Sequence, residues 1–152
     1  MHTIEWNKDL INQYPYLLPR NVFTDKVPEG YDYSWTVLDE VEDGWQDLFL
    51  RMCEEMREPL IKANYLDKFR FSQIKEKWGK ACFYNFGAPK EVQNIIYKYE
   101  AESARTCIQC GRNAVKVSTG WIAPYCLHCS NVLSEHMDFM DINEWYRGDE
   151  DV

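Results

Sequence analysis

The sequence has little of what membrane-spanning, exported or broadly nucleic-acid-binding proteins require. No apolar run approaches the ~20 residues that cross a bilayer, and the first residues carry neither the basic region nor the apolar stretch of a signal peptide. Only 17 basic side chains stand against 25 acidic ones, giving a net charge of −8 at pH 7, which argues against broad binding to phosphate backbones. We therefore expect a cytoplasmic protein without a membrane segment.

Recognisable catalytic motifs are also missing. The chain contains no Gly-rich phosphate loop of the nucleotide-binding types and no nucleophile elbow. Its carboxylates are plentiful, but plentiful carboxylates without a paired arrangement usually serve solubility. These absences predict a non-enzymatic protein, and a small hydrolase built on a carboxylate cluster stays open as a further class.

Aromatic residues, in contrast, are abundant. The chain has six Trp, ten Tyr and seven Phe among 152 residues, and 45% of its residues are hydrophobic. This composition excludes intrinsic disorder for most of the chain and provides a packed core. The length fits one domain, or one domain with a small metal-held appendage.

Two helices are predicted in the N-terminal half. Residues 5–14 form the first, which Pro15 ends, and an irregular segment follows to about residue 33. The second begins with Asp43 as its N-cap, and Pro59 kinks or ends it. Its apolar stripe at helical spacing comprises Trp45, Phe49, Met52, Cys53 and Met56.

A β-hairpin and a third helix are predicted next. Residues 68–84 alternate between apolar and polar side chains around a turn near Gly79, which indicates two antiparallel strands. Pro89 suits the first turn of a helix that runs to about Ala104. Its apolar stripe comprises Val92, Ile95, Ile96, Tyr99 and Ser103.

The strongest motif is a pair of Cys-x-x-Cys sequences, Cys107/Cys110 and Cys126/Cys129, separated by fifteen residues. Each pair presents two thiolates from one tight turn, and Zn²⁺ accepts four such ligands at ~2.3 Å in a tetrahedral structural site. Because four thiolates leave no open position, we expect one structural Zn²⁺ that stabilises the protein without catalysing a reaction.

Other uses of these cysteines fit the pattern less well. Disulfides are disfavoured because an unexported chain lies in a reducing compartment, and a dithiol redox role needs one pair where this chain has two. His128 could replace one cysteine as a ligand. The remaining two cysteines, Cys53 and Cys82, are predicted to be small core residues.

The elements around the cysteines are predicted to have the order of a treble clef. A knuckle at the first pair precedes a short hairpin that turns at Thr119-Gly120, and a helix over residues 130–139 follows the second pair. HNH-type nucleases share this order but need a histidine near the hairpin. Residues 111–125 contain none, and the only histidines are His2, His128 and His136.

The predicted fold is therefore α+β, with helices packed on a small antiparallel β-hairpin and a C-terminal treble-clef zinc module. We expect a core over residues 1–104 with an irregular N-terminal segment, a zinc module over residues 105–145 packed on that core, and an acidic tail over residues 146–152.

Charge is segmented along the chain. Residues 30–58 carry nine acids and two bases, and residues 130–152 carry seven acids and one base. These runs are either ordinary solvated faces or one acidic surface that meets a basic partner. On the second interpretation, the contacting residues are the acidic C-terminal end together with Asp39, Glu40, Glu42 and Asp43, with Trp35, Trp45 and Trp145 as aromatic anchors.

Nucleic-acid binding is the alternative function. Residues 62–116 carry eleven bases and five acids. Lys75, Lys77 and Lys80 lie on the predicted hairpin beside Trp78, where aromatic rings can stack on bases while the lysines contact phosphate. The competing explanation is that these aromatics cover helices and these lysines protect sheet edges.

Part of the chain resembles a known group of proteins. The resemblance rests on Gln-Ile-Lys-Glu-Lys-Trp-Gly at residues 73–79, Phe83-Tyr84, Arg105-Thr106 before the first cysteine pair with Gly111 after it, and Gly120-Trp121. These motifs are similar to those of small zinc-ribbon-like proteins encoded by bacteria and their phages, a group for which we know no established activity. The chain departs from that group at Lys80-Ala81, where many members have Gly-Leu, and at Cys129, where some have histidine.

The resemblance implies a bacterial or phage cytoplasmic setting. With the acidic segments and the missing catalytic motifs, it leads to the expectation of a non-enzymatic zinc-binding protein that acts by protein–protein interaction. A phage-encoded inhibitor of a host defence protein with a basic surface is the form of that function we expect. The resemblance covers residues 73–129, so partner specificity is expected to lie in the N-terminal half.

Overall fold

The fold is α+β, as predicted, and is seen in a computed structural model that describes residues 2–150, with side chains described through residue 148. This part of the chain contains five α-helices and two small antiparallel sheets. The helices are α1 (Ile4–Gln13), α2 (Gln46–Lys62), α3 (Lys90–Ser103), α4 (Leu127–Leu133) and α5 (Ile142–Glu150). The strands are β1 (Phe71–Lys77), β2 (Lys80–Asn85), β3 (Lys116–Ser118), β4 (Pro124–Tyr125) and β5 (Phe139–Asp141).

Helix α1 lies within one residue of its predicted bounds. The Thr3 hydroxyl caps the helix by accepting the Trp6 N–H at 3.1 Å. Leu10 and Ile11 turn into the core, and Pro15 opens a short 3-10 turn directly after the helix. The predicted helix over residues 5–14 is therefore confirmed, with its start one residue earlier.

Helix α2 supplies the centre of the main core. All five residues of its predicted apolar stripe are buried, and Phe49, Met52 and Met56 are fully enclosed. They pack against α3, which buries Val92 and Ile96. Each such side chain contributes about 1.5–3 kcal/mol of hydrophobic free energy on burial, so this helix pair holds the N-terminal part together.

The prediction for the start of α2 is wrong, and one of the two alternatives for Pro59 is excluded. Asp43 is not the N-cap, because it begins a 3-10 turn (Asp43–Trp45) and the α-helix starts at Gln46. Pro59 does not end the helix, which continues to Lys62. Continuation places Leu60 fully inside the core, and this burial offsets the backbone hydrogen bond that proline removes.

The predicted hairpin is formed by β1 and β2. Its two-residue turn, Trp78-Gly79, has φ values of 55° and 83°, the type I′ geometry that suits the twist of paired strands. The register pairs Lys77 with Lys80 and Lys75 with Cys82. Gly79 matches the predicted position of the turn, and Trp78 occupies a left-handed conformation that asparagine or glycine usually fills.

Helix α3 covers the outer edge of β2. The Ser103 hydroxyl accepts the Ala81 N–H at 2.8 Å, and a Glu100 carboxylate oxygen accepts the Phe83 N–H at 2.7 Å. Partial burial raises the pKa of Glu100, although its hydrogen bond from Phe83 acts in the opposite direction. Two side chains of a helix thus take the place of a third strand.

The C-terminal part has its own small sheet, in the order β4-β3-β5. The predicted hairpin between the cysteine pairs is present as β3 and β4, which pair Lys116 with Tyr125. The predicted helix over residues 130–139 is wrong in its bounds, since α4 ends at Leu133 and the chain turns to place Phe139 in β5. The Phe139 ring packs edge-on against Tyr125 at 5.3 Å, which favours the strand over a longer helix.

Beneath this sheet lies a second apolar cluster. Ala114, Val117 and Ile142 are its buried members, and Trp145 packs against them from α5. Sequence analysis predicted neither β5 nor α5. Residues 1, 151 and 152 lie outside the described residues, and so do the side chains of residues 149 and 150, which includes most of the predicted acidic tail. Among the helices described, none combines the length and apolar character needed to cross a membrane.

The capped edge of β2 yields a testable prediction. Ser103→Ala removes the acceptor of the buried Ala81 N–H, and we expect a loss of about 1–3 kcal/mol in the free energy of unfolding, measured with urea. Ser134→Ala is the matched control, because Ser134 also donates to a carbonyl three residues earlier but is exposed and accepts no strand N–H. An equal loss in both variants would contradict this role of Ser103.

Candidate metal centre

The four predicted metal ligands lie together in the structure. The sulfur atoms of Cys107, Cys110, Cys126 and Cys129 are all within 4.8 Å of one another, and Cys110 Sγ and Cys126 Sγ are 3.5 Å apart. Four thiolates around Zn²⁺ at ~2.3 Å lie ~3.8 Å from each other. The cluster can therefore hold a metal ion of that size.

The first pair sits on a knuckle, residues 107–111, which a short set of backbone hydrogen bonds shapes. Gly111 donates to the Cys107 carbonyl at 3.0 Å, and Cys107 donates to the Arg112 carbonyl at 2.7 Å. Gly111 adopts φ +85°, a left-handed conformation that costs glycine little. The knuckle turns back on itself and presents both sulfur atoms to the same side.

The second pair opens helix α4. Cys126 is the N-cap residue, and its sulfur accepts the Cys129 N–H at 3.3 Å. The helix then continues from the Ser130 N–H, which donates to the Cys126 carbonyl. The sequence analysis placed a helix directly after the second pair, and the structure begins this helix earlier, at Leu127, so the pair lies at its N-terminal end.

Electrostatics within the cluster favour one thiolate at a time. Burial raises the pKa of Cys126, but hydrogen bonds from the Cys129 N–H and from the neighbouring thiols outweigh it and lower this pKa to about 7. Burial and donation to neighbouring sulfur atoms raise the pKa of Cys129. A divalent cation would supply the positive charge that four thiolates require together.

The donors that surround the centre are all sulfur atoms. Cys107, Cys126 and Cys129 are buried and Cys110 is exposed, so four sulfur donors are available and no fifth ligand faces the centre among the described side chains. His128 is exposed and lies outside the cluster. Cys53 and Cys82 are buried elsewhere, as predicted. Such a donor set is that of a structural zinc site.

A close backbone contact joins the knuckle to the main core. The Gly44 N–H donates to the Ile108 carbonyl at 2.8 Å, and a Cβ built on Gly44 would lie 2.1 Å from the Cys107 carbonyl oxygen. Next to it, the Trp45 indole donates to the Thr106 carbonyl at 2.9 Å. Only glycine fits at position 44, and the adjacent tryptophan bridges the two parts of the chain.

The prediction that Trp45 contacts a partner is therefore wrong. Its side chain is 1% exposed, because its ring fills the core and its N–H faces the knuckle. Trp145 is half-buried in the small C-terminal cluster. Of the three predicted aromatic anchors, Trp35 is the most exposed, at 39%.

The predicted acidic residues form a short exposed run beside Trp35. The Asp39 carboxylate accepts the Thr36 N–H at 2.9 Å in a capping box, so part of its role is structural. Glu40, Glu42 and Asp43 are exposed and form no ion pair with the described residues. Glu40 nevertheless lines a recess beside Trp35, where partial burial raises the pKa of its carboxyl group.

That recess is part of a long groove along β1. A 710 Å³ section lies between Trp35, Glu40 and Ile74, and a 310 Å³ section continues from Glu40 and Ile74 to Glu76. A further 330 Å³ section runs between the tips of the two hairpins. Large apolar side chains line the groove and remain exposed, notably Phe23 at 93% and Trp121 at 74%.

The three lysines of the alternative function share the outer face of the β1–β2 hairpin. Lys75, Lys77 and Lys80 are all exposed, and the Lys75 ammonium lies 5.9 Å from the centre of the Tyr84 ring. A 730 Å³ groove on this face is lined by lysines 77 and 80 and by aromatic rings. Those rings belong to Trp78, Tyr84, Trp145 and Tyr146.

No protein-family model, curated protein or solved structure matches the chain.

Sequence reasoning missed the residues that dock the metal centre. Gly44 and Trp45 were assigned to a helix N-terminus and its apolar stripe, and nothing in the local pattern points to a contact more than sixty residues away. The groove along β1 was also missed, because the alternation of a strand does not show which elements lie beside it. The metal ligands, in contrast, are recognisable from their spacing in the sequence alone.

Metal content provides the first test of the centre. We expect the purified chain to hold one zinc ion, measured by mass spectrometry of the metal, and Cys126→Ser to lose it and unfold at lower urea, because a buried ligand is removed. Cys82→Ser is the control, since Cys82 is also buried but lies outside the cluster. Full zinc retention by Cys126→Ser would contradict the assignment.

The docking contact provides a second test. Gly44→Ala places a methyl group against the Cys107 carbonyl, and we expect it to reduce the free energy of unfolding by about 1–3 kcal/mol and to speed zinc transfer to a chelator. Gly120→Ala is the matched control, because nothing lies within 4 Å of its added Cβ. If both variants released zinc at the wild-type rate, the contact would not support the centre.

Proposed function

We propose that this chain is a non-enzymatic, zinc-stabilised protein that acts by binding another protein. The four-cysteine cluster supports the first part of the proposal, because four sulfur donors saturate Zn²⁺ and leave no position for substrate. The order of knuckle, hairpin and helix supports a treble-clef module. In this view the metal holds residues 107–129 in shape and keeps the knuckle against the main core.

The observation that carries the protein-binding role is the groove along β1. It combines exposed apolar side chains, including Phe23, Trp35 and Trp121, with the carboxylates of Glu40 and Glu42, which form no ion pair with the described residues. Exposed aromatic clusters of this kind mark interaction sites. Phe86 lines the same groove and is also exposed.

The charge of the middle section of the groove favours a basic partner. Glu40 and Glu42 stand on one wall and Glu76 on the other, whereas Arg20 and Arg70 at one end are already paired with Asp25. Complementary charge of this kind steers association and selects partners. The partner we propose is a host protein with a basic surface.

The biological role we propose is inhibition of a host defence protein in the bacterial cytoplasm. Its support is the similarity of residues 73–129 to zinc-ribbon-like proteins of bacteria and phages, together with the acidic surface. A small acidic protein can block a basic functional surface by occupying it, since charge pairing across the interface raises the association rate.

A second candidate is nucleic-acid binding by the outer face of the hairpin. The specific observation is that Lys77 and Lys80 border a groove with the rings of Trp78 and Tyr84, an arrangement that suits stacking of single-stranded bases. The Trp78 ring is 73% exposed. The net charge of −8 opposes this role.

Affinity capture from bacterial lysate distinguishes the two functions. We expect the zinc-loaded chain to retain one dominant basic protein that salt releases, and Glu40→Gln/Glu42→Gln to retain much less of it because the charge pairing is lost. Both retained protein and retained nucleic acid are identified. Glu58→Gln/Glu91→Gln is the matched control, since these exposed carboxylates border a separate cleft between α2 and α3.

Reversal of three lysines completes the comparison. If nucleic acid were retained instead, and Lys75→Glu/Lys77→Glu/Lys80→Glu abolished its retention, the second candidate would replace the first. Retention of the same basic protein by the double glutamine variant and by wild type would argue against the acidic surface as its binding site.

A further inference from the structure

The two edges of the β1–β2 sheet are treated differently by the rest of the fold. The closing pair of a two-residue hairpin, Lys77 and Lys80, is hydrogen-bonded across the strands, and such pairs alternate along an antiparallel ladder. The Ala81 and Phe83 N–H groups must therefore point away from β1. Their hydrogen bonds to Ser103 and Glu100 on α3 confirm this direction.

The same alternation applies to β1. Ile74 pairs with Phe83 and Glu76 pairs with Ala81, so the backbone N–H and C=O groups of Ile74 and Glu76 point outward from the sheet. No backbone or side-chain group in residues 2–148 bonds to these outward groups. One edge of the sheet is capped and the other is open.

The open edge faces the groove. Ile74 and Glu76 form one wall, and Val41 and Glu42 form part of the opposite wall. Ile74 also borders the larger section, next to Val37. Backbone groups that lack partners among the described residues therefore line a recess whose other surfaces are mainly apolar or acidic, with Lys75 at its border.

Such an edge is a template for a further strand. A segment that pairs with it must be extended, because only an extended backbone repeats its hydrogen-bonding groups at the spacing of a strand. Every second side chain of that segment would enter the groove beside Ile74 and the carboxylates of Glu40, Glu42 and Glu76. The others would lie on the opposite face of the sheet, beside Lys75 and Lys77.

The charges set the chemistry of the segment. Lys75 is the lysine of β1 that borders this section of the groove, and its ammonium lies over the Tyr84 ring on the outer face. The carboxylates of Glu40 and Glu42 form no ion pair with the described residues. A segment with lysine or arginine at alternate positions complements them.

Building on the protein-binding function proposed above, we propose that an extended segment of the partner, with alternating basic and apolar residues, adds to the open edge of β1 as a third strand. The Ile74 and Glu76 backbones supply the hydrogen bonds, and the carboxylates of Glu40 and Glu42 pair with the basic side chains that enter the groove. The apolar side chains lie on the outer face of the hairpin, beside Lys75 and Lys77. Main-chain pairing gives affinity, and the two walls give selectivity.

The experiment uses the full zinc-loaded chain and the capped peptide acetyl-Val-Lys-Val-Lys-Val-amide. We expect saturating peptide to slow hydrogen exchange at the Ile74 and Glu76 amides, measured by NMR, because those N–H groups become bonded. The Gln73 and Lys75 amides, already bonded to β2, serve as internal references. Unchanged exchange at Ile74 and Glu76 would overturn the proposal.

A proline variant tests the edge directly. Ile74→Pro deletes an outward N–H without removing a bond to β2, and proline is tolerated at sheet edges. We expect it to weaken peptide binding by about tenfold, while Ile74→Val, which keeps the N–H and the apolar contact, stays within about twofold. Circular dichroism checks that the variant folds.

A second measurement leaves the protein unchanged. Methylation of the peptide at the N–H groups that face β1 is expected to abolish binding, whereas methylation of the alternate N–H groups is not, and equal binding of the two would overturn the proposal. A Val-Glu-Val-Glu-Val peptide should bind at least about tenfold more weakly, since its charges repel the carboxylates. Protection of the Ile74 amide that grows with protein concentration, without peptide, would show that the occupant is a second copy and would also overturn it.

The proposal and the function on which it rests can fail separately. If the captured partner were lost by Glu40→Gln/Glu42→Gln but retained by Ile74→Pro, protein binding would stand and strand addition would fail. If no partner were captured by wild type, the protein-binding function would fail regardless of the peptide.

Discussion

The contact between the Gly44 backbone and the knuckle is the constraint on which the arrangement of the two parts depends. Each part has its own apolar core, and neither core alone determines how the two are oriented. A backbone approach that admits no Cβ, reinforced by the Trp45 indole bond to Thr106, fixes that orientation. Cys107 and Cys110 belong to the knuckle that Gly44 contacts. The cysteine cluster and the helical core therefore constrain the same few peptide groups.

The β1–β2 hairpin contacts both of these parts. Its base packs on α2 and α3, while its tip meets the part that contains the cysteine cluster, where a Cβ on Gly79 would lie 3.3 Å from Ile122. The groove along β1 therefore has walls from both parts of the chain, including Glu42 near the knuckle and Trp121 on the second hairpin. Movement of the metal-binding part would change the width of this groove.

Patterns with a short sequence range predicted much of the fold and of the site. The apolar stripe from Trp45 to Met56, the turn at Gly79 and the four cysteines depend on local spacing, and the structure places each of them as expected. An N-cap at Asp43 and a helix end at Pro59 are not observed, because docking of Gly44 and tertiary burial of Leu60 override local propensities. Strand β5 was missed because three residues carry too little alternation to distinguish a strand from a helix.

Trp78 places an exposed aromatic side chain at the tip of the β1–β2 hairpin. The first position of a type I′ turn requires a positive φ, which costs a residue with a side chain about 1–2 kcal/mol relative to glycine, and Trp78 adopts φ 55° there with most of its ring in water. An indole in this position adds strain to the turn and buries little apolar surface in return. The hairpin tip therefore exposes an aromatic side chain at a cost in folding stability.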